Sequence, residues 1–130
     1  MLNKVFVYGT LMSSGPVRGL NKFNGAAKVA DATTADATYS LFNLGPFPGA
    51  TLNGHDAISG EVWSVDQHTM EQLDAIEGYP NFYNRTEVAT SSGVAWMYYL
   101  NDETSCAGLS TLASEHGNPV KWTNEIKENQ

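Results

Sequence analysis

The 130-residue sequence is poor in positive charge and contains a single cysteine. Seven lysines and arginines stand singly along the chain, against 14 acidic residues that give a formal net charge of -7. Nucleic acids and anionic membranes attract proteins through concentrated positive patches, so this sequence argues against both as partners. Because Cys106 is the only cysteine, a disulfide within the chain is excluded, and we expect a cytoplasmic protein in a reducing compartment.

Long apolar runs and metal-ligand spacings are also missing. Near the amino end the longest apolar run covers residues 5–8, far short of the roughly 20 residues that a membrane span needs. The three histidines lie in different segments without a metal-binding spacing, so we expect neither a metal nor a cofactor. With 42% hydrophobic residues, the chain can bury the core of one domain over residues 1–130.

Hydrophobic alternation and turn residues predict an α+β fold with short strands and one clear helix. Short strands of this kind often close into a barrel, so we expect a small mixed β-barrel. The prolines and glycines of residues 45–49 predict an irregular segment. A short helix is expected at residues 107–115, within a tail that covers residues 101–130. Strands are predicted at residues 5–8, at one or two places within 25–44, and at 58–65, 82–90 and 94–100.

The clear helix is predicted between two residues that suit its ends. Asp66 is a side chain typical of an N-cap, and Gly78 stands where a left-handed C-cap belongs. Asp74 is expected on the face that contacts water. The opposite face is apolar and is expected to pack on the domain through Met70, Leu73 and Ile76.

Two segments are candidates for chemistry. The strand end at residues 8–11 (YGTL) runs into a glycine turn, whose successive backbone N–H groups can form a concavity for a carboxylate or an oxyanion. A tight turn with no further role is the alternative. In the last predicted strand, Tyr98 or Tyr99 can direct a hydroxyl into a cavity.

The second candidate is Glu77, the last residue of the predicted helix. An acid at this position faces the negative end of the helix dipole, which costs roughly 0.3 to 1 kcal/mol and raises its pKa. Beside a pocket, such a carboxylate can act as a general base and then as a general acid near neutral pH. The alternative is a solvated acid at a frayed helix end. Glu61 is the rival carboxylate, with a partnered structural role as its own alternative.

Four motifs follow one another along the chain: VYGTL at residues 7–11, FPG at 47–49, SGEVW at 59–63 and LDAIEGYPNFYNRTEV at 73–88. Through them the sequence resembles the γ-glutamylcyclotransferase-like family, which includes γ-glutamylamine cyclotransferases and AIG2-like proteins. The resemblance covers roughly residues 4–100, and the order and separation of the motifs make a chance match improbable. It implies a small mixed β-barrel with one main helix.

The resemblance also implies roles for individual residues. The glutamate matching Glu77 is the acid and base of catalysis, and Arg85 looks structural. Thr10 stands where some members carry serine, which leaves the backbone donors of the loop intact. The loop that cradles the substrate's α-carboxylate is matched by Tyr8, Gly9, Thr10 and Leu11, and the pocket is bordered or shaped by Pro48, Tyr83 and Tyr98.

The resemblance, together with these residues, implies a transferase that releases 5-oxoproline and a free amine from a γ-glutamyl amine or a γ-glutamyl amino acid. Its only expected partner is this small-molecule substrate, apart from self-association, and a monomer or a small homo-oligomer is expected. Two alternatives stay open. One is a binding protein that uses the same pocket for a small metabolite without turnover. The other is a protein-interaction module with a vestigial pocket.

Overall fold

The computed structural model describes residues 3–9, 12, 20, 23–43, 48–100 and 119–120. Within these ranges the chain forms strands and one helix, so the predicted α+β class is confirmed. No helix in the described ranges is both long and apolar enough to cross a membrane. The elements are β1 (Asn3–Val7), β2 (Ala26–Thr33), β3 (Tyr39–Asn43), β4 (Pro48–Asp56), β5 (Ser59–Val65), α1 (Gln67–Glu77), β6 (Tyr83–Thr90) and β7 (Gly93–Leu100).

The main sheet has five strands in the order β2-β5-β1-β7-β6, and β3 and β4 form a separate antiparallel pair. β1 is the central strand, antiparallel to β5 and parallel to β7. A strand covered on both faces needs an unbroken apolar run, and β1 supplies one because Val5, Phe6 and Val7 are all buried. Phe6 enters the core on one face, and Val5 and Val7 enter the core on the other, so β1 divides two apolar clusters.

The two edge strands of the main sheet meet at one end. Thr34, just after β2, forms an antiparallel bridge with Thr90 at the end of β6. Two backbone hydrogen bonds support it, from Ala35 N to Ala89 O at 2.8 Å and from Ser91 N to Thr33 O at 2.9 Å. This contact protects the open ends of the two edge strands. Full closure of the predicted barrel stays a prediction.

The helix begins and ends at the predicted residues. The Asp66 carboxylate accepts a hydrogen bond from Thr69 N at 2.8 Å, and Gly78 adopts the left-handed conformation with φ 68°. Met70 and Leu73 are buried against β1 and β5 as predicted. Ile76 was expected on this buried face, and that is wrong: its side chain is 58% exposed. The last turn of the helix borders an open pocket instead of the core.

The segment around Pro48 departs from the prediction. Residues 45–49 were expected to be irregular, but Pro48 and Gly49 begin β4 and pair with Asn43 and Phe42 of β3. Proline is tolerated at the first position of a strand because its missing N–H is not needed there. The rest of β4 was not predicted, since the residues after Ala50 are mostly polar or glycine, are at least partly exposed beyond Thr51, and show no apolar alternation.

The tail returns to the domain at one described point. Val120 is buried and bridges Ile58 in parallel, with Ser59 N donating to Val120 O at 2.8 Å. Val120 N in turn donates to Ala57 O at 2.8 Å. The chain after β7 therefore contributes a side chain to the core that contains Phe6. The helix predicted at residues 107–115 lies outside the described residues.

Candidate active site

A pocket of about 250 Å³ opens where the carboxyl ends of β1 and α1 meet the start of β4. Pockets for drug-sized ligands measure roughly 300 to 1,000 Å³, so this one suits a smaller metabolite. The described part of its walls is mainly apolar and aromatic, with one carboxylate, that of Glu77. The described lining residues are Phe6, Val7, Tyr8, Gly9, Pro48, Ile76, Glu77, Phe82, Tyr83 and Tyr98.

The structure brings the predicted site residues together around this pocket, although they come from five separate segments of the chain. Thr10 and Leu11 lie outside the described residues. The roles assigned to all these residues stay predictions. Those found in the lining are Tyr8, Gly9, Pro48, Glu77, Tyr83 and Tyr98.

Two buried tyrosines that line the pocket form hydrogen bonds with β4 and so connect the β3–β4 pair to the pocket wall. The Tyr8 hydroxyl donates to the Tyr98 carbonyl at 2.8 Å and accepts a hydrogen bond from Ala50 N at 3.0 Å. The Tyr83 hydroxyl donates to the Pro48 carbonyl at 2.7 Å. Burial raises the pKa of Tyr8 well above its ordinary value, so this phenol stays neutral. Tyr8 and Tyr83 therefore hold the pocket wall in place.

The third tyrosine, Tyr98, belongs to a charged network behind the pocket. Its hydroxyl donates to Asp74 Oδ1 at 2.7 Å, and burial raises the pKa of this phenol. Asp74 also accepts hydrogen bonds from Arg85, whose Nε lies at 2.8 Å and Nη2 at 3.2 Å. The Arg85 guanidinium lies over the Tyr79 and Trp96 rings, 4.6 and 4.5 Å from their centroids. These contacts agree with the structural interpretation of Arg85.

Asp74 itself was expected on the water-facing side of the helix, and that expectation is wrong. Its side chain is only 19% exposed, because Arg85 and Tyr98 reach it from β6 and β7. Helical periodicity identifies the polar positions of α1, but the partner strand decides which polar position is covered. The network connects the last turns of α1 to the strand that carries Tyr98.

Glu77 stands at the carboxyl end of α1 with its half-buried side chain in the pocket. It makes no hydrogen bond or ion pair with any residue in the part of the chain that the structure describes. Burial raises its pKa from 4.5 to about 7. The predicted direction agrees, and the cause in the structure is desolvation of the carboxylate by the apolar walls. Such a carboxyl group can accept and return a proton near neutral pH.

Glu61, the rival carboxylate, has a different environment. It is 5% exposed on β5, where Trp63 Nε1 donates to Glu61 Oε1 at 2.9 Å. Lys28 Nζ lies 3.4 Å from Glu61 Oε2. Glu61 is not among the described lining residues of the pocket. It is a partnered structural acid, as its alternative interpretation proposed.

Sequence reasoning missed Phe82 as a lining residue and placed Ile76 in the core. The sequence contains a signal that could have placed both residues at the pocket, because each stands directly before a predicted site residue in the motif of residues 73–88. Ile76 precedes Glu77, and Phe82 precedes Tyr83. As for metals, no group of three or more histidine, cysteine, aspartate or glutamate side chains suited to an ion occurs among the described residues.

The raised pKa of Glu77 predicts a pH-dependent stability difference. Between pH 4.5 and about 7 the folded protein keeps a proton that the unfolded chain loses, so the stability of the parent falls as pH rises. Glu77→Gln does not titrate and avoids this loss. A tenfold change in ionisation constant corresponds to about 1.4 kcal/mol, and partial exposure reduces the full effect. We expect Glu77→Gln to be more stable than the parent by about 1 to 2 kcal/mol at pH 8.5, measured by urea unfolding.

The matched control is Glu71→Gln, an exposed position on the same helix. Glu71 Oε2 accepts a hydrogen bond from Gln67 Nε2 at 3.3 Å on the exposed face of the helix, so no apolar wall among the described residues lies against this carboxylate. The gain in stability of Glu77→Gln at pH 8.5 should exceed that of Glu71→Gln. Equal gains in the two variants would contradict the desolvation of Glu77.

The fold and the site define a class of protein: a small α+β fold in which the described walls of a metabolite-sized pocket contain one carboxylate suited to proton transfer. The chain belongs to the family described as gamma-glutamyl cyclotransferase, AIG2-like, which it matches over residues 5–121. A Vibrio cholerae protein that bears the family's name is 36% identical over 102 residues, or 78% of this chain and 85% of that protein. The Escherichia coli family protein YtfP is 34% identical over 95 residues, covering 73% and 80% of the two chains.

Solved structures agree with this assignment. The solution structure of Escherichia coli YtfP superposes with a TM-score of 0.64 at 31% identity, over 83% of this chain and 89% of that one. A mouse AIG2-like protein gives a TM-score of 0.72 over 95% of this chain and 98% of its own, and at 20% identity it supports the fold alone. The predicted family and its α+β fold are thereby confirmed.

Proposed function

We propose that the protein is a γ-glutamyl cyclotransferase, which releases 5-oxoproline and a free amine from a γ-glutamyl amine or γ-glutamyl amino acid. The observation that carries the proposal is Glu77: a carboxylate without a described partner, in a small apolar pocket, with a pKa of about 7. Membership of the gamma-glutamyl cyclotransferase, AIG2-like family supports the reaction class. The names of the relatives support the same class.

The substrate's α-carboxylate would bind at the end of β1. Gly9 is buried there at the pocket edge, and its carbonyl accepts a hydrogen bond from Met12 N at 3.0 Å. In the proposal, the backbone N–H groups of Gly9, Thr10 and Leu11 donate to the carboxylate. Backbone amides supply local positive potential without a charged side chain, which suits a protein of net charge -7.

Glu77 would carry the proton through the reaction. Its carboxylate accepts a proton from the α-ammonium, and the freed amine attacks the γ-carbonyl carbon. The bond from that carbon to the leaving nitrogen breaks as Glu77 returns the proton to this nitrogen. The attacking nitrogen loses a second proton as the lactam forms, and the departing amine carries it away as an ammonium ion. No oxidant, reductant or second substrate is required.

Two physical effects make one carboxylate sufficient. A pKa of about 7 leaves substantial populations of both the ionised and protonated forms of Glu77 near neutral pH. The attacking amine and the carbonyl belong to the same molecule, so a pocket that folds the substrate places them near attack distance without collecting a second reactant. The pocket wall that the hydroxyl groups of Tyr8 and Tyr83 connect by hydrogen bonds is suited to impose that shape.

A substrate panel tests the proposal. The protein is incubated with γ-glutamyl amino acids, γ-glutamyl amines including γ-glutamyl-lysine, and glutathione, and 5-oxoproline is measured by mass spectrometry. We expect 5-oxoproline from at least one member. Binding of panel members without product would favour a metabolite-binding protein. Neither binding nor product would favour an interaction module.

A further inference from the structure

The pocket has a buried floor and an exposed apolar mouth. The floor contains Tyr8, Tyr83 and Tyr98, which are between 3% and 6% exposed. At the mouth lie Ile76 and Phe82, which are 58% and 45% exposed and which we call the apolar rim. Large apolar side chains grouped at the opening of a pocket are a feature of surfaces that a ligand covers.

A backbone hydrogen bond and a ring contact hold Phe82 of the apolar rim in place. Phe82 N donates to Gly78 O at 2.9 Å, which ties the residue to the helix C-cap. Its ring packs edge-on against Tyr83, with ring centroids 4.9 Å apart and an interplanar angle of 82°. Ile76 lies on the last turn of α1, immediately before Glu77. A fixed apolar surface binds a ligand without an ordering cost of its own.

We propose that the apolar rim binds the side chain of the leaving amine and makes the enzyme prefer apolar amines. The inference rests on the proposed function. Glu77 has to reach both the α-nitrogen and the leaving nitrogen, so the scissile bond lies beside it. The α-carboxylate is assigned to the buried end at Gly9, which leaves the leaving group directed toward Ile76 and Phe82 at the mouth.

Burial of apolar surface sets the size of the preference. A fully buried methylene corresponds to about a fourfold gain in binding, and a half-covered one to about twofold. A hydroxyl in place of a terminal methyl group loses its water without gaining a partner on an apolar surface. When an apolar site encloses the end of the substrate, kcat/KM for the hydroxyl compound can be about 100-fold lower than for the methyl compound of the same size. For the open rim we expect about tenfold.

Two substrates of equal size test the preference. The amide of the γ-carboxyl group of glutamate with n-butylamine is compared with the amide formed with 3-aminopropanol, which replaces the terminal methyl by a hydroxyl. We expect kcat/KM to be about tenfold higher for the butyl compound. Equal values, or a preference for the hydroxyl compound, would overturn the inference while 5-oxoproline formation upholds the proposed function.

Variants of the apolar rim locate the effect. Ile76→Ser and Phe82→Ser should each reduce the tenfold ratio to about threefold or less, mainly by raising KM for the butyl compound. Val94→Ser is the matched control, because Val94 is 57% exposed and is not a described lining residue. A ratio that survives both rim substitutions would show that another surface selects the amine.

A binding measurement tests the apolar rim separately from the proposed function. The Glu77→Gln variant is titrated with both substrates in a calorimeter, where turnover is not needed. Tighter binding of the butyl compound, lost in Glu77→Gln with Phe82→Ser, supports the apolar rim even if the parent protein forms no 5-oxoproline. Equal or absent binding of the two compounds overturns it. Absence of 5-oxoproline from every substrate overturns the proposed function and the catalytic preference that rests on it, whereas binding of the amine side chain at the apolar rim is decided by the titration.

Discussion

Replacing Glu77 with glutamine is expected to lower kcat for 5-oxoproline formation by about a thousandfold, the usual contribution of a general acid and base. The amide fills the same volume and cannot accept or return a proton near neutral pH. The fold should persist, because Glu77 has no described hydrogen-bond or ion-pair partner that the change would break. Single-turnover assays with the best substrate of the panel measure the effect.

Two other carboxylates serve as controls for this experiment. Glu71→Gln changes an exposed acid on the same helix and should leave kcat within about twofold of the parent. Glu61→Gln changes the buried acid that contacts Trp63 and Lys28, so its main effect should be on stability. A Glu77→Gln variant that forms product at the parent rate would remove Glu77 from the mechanism.

Replacing Arg85 with leucine is expected to reduce the free energy of unfolding by about 3 kcal/mol. The side chains of Arg85 and Asp74 are only 18% and 19% exposed, so the change leaves a carboxylate partly desolvated without its cation. It also removes the guanidinium that lies over the Tyr79 and Trp96 rings. Urea unfolding at constant pH measures the loss.

A double-mutant cycle distinguishes the pair from its separate side chains. Asp74→Asn keeps an acceptor for the Tyr98 hydroxyl and removes the charge, and its combination with Arg85→Leu should cost less than the sum of the single changes. The surface pair of Lys28 and Asp31 is the control, because Asp31 is 84% exposed. Asp31→Asn should change stability by about 0.5 kcal/mol or less. Additive losses at Asp74 and Arg85 would contradict their coupling.

Cap and turn residues in the sequence predicted those helices and strands whose ends depend only on residues nearby in the chain. Asp66 and Gly78 bound the helix because a cap needs only a side-chain acceptor or a left-handed residue nearby. The hairpin of β6 and β7 follows in the same way from its short turn at residues 91–92. β4 was missed because its strand conformation depends on pairing with β3, and its exposed half lacks an apolar pattern.

The motifs of the candidate site could be predicted from the sequence, but the positions and burial of its side chains could not. The sequence resemblance identified Glu77, Tyr83 and Tyr98, which now lie around one pocket. The resemblance did not predict that Ile76 lies at the mouth of that pocket or that Arg85 shields Asp74 from water. Helical periodicity separates apolar from polar positions, whereas coverage of each position depends on strands that are distant in the chain.

Composition and local pattern decided the broad features of this protein: an acidic α+β chain with scattered bases and a carboxylate at a helix end. These features depend on contacts between near neighbours and on charge counts, which a linear sequence contains in full. Tertiary structure alone decided the environment of Glu77. Its pKa of about 7 arises from desolvation by walls that five separate segments build, and desolvation exists only when those segments are packed together.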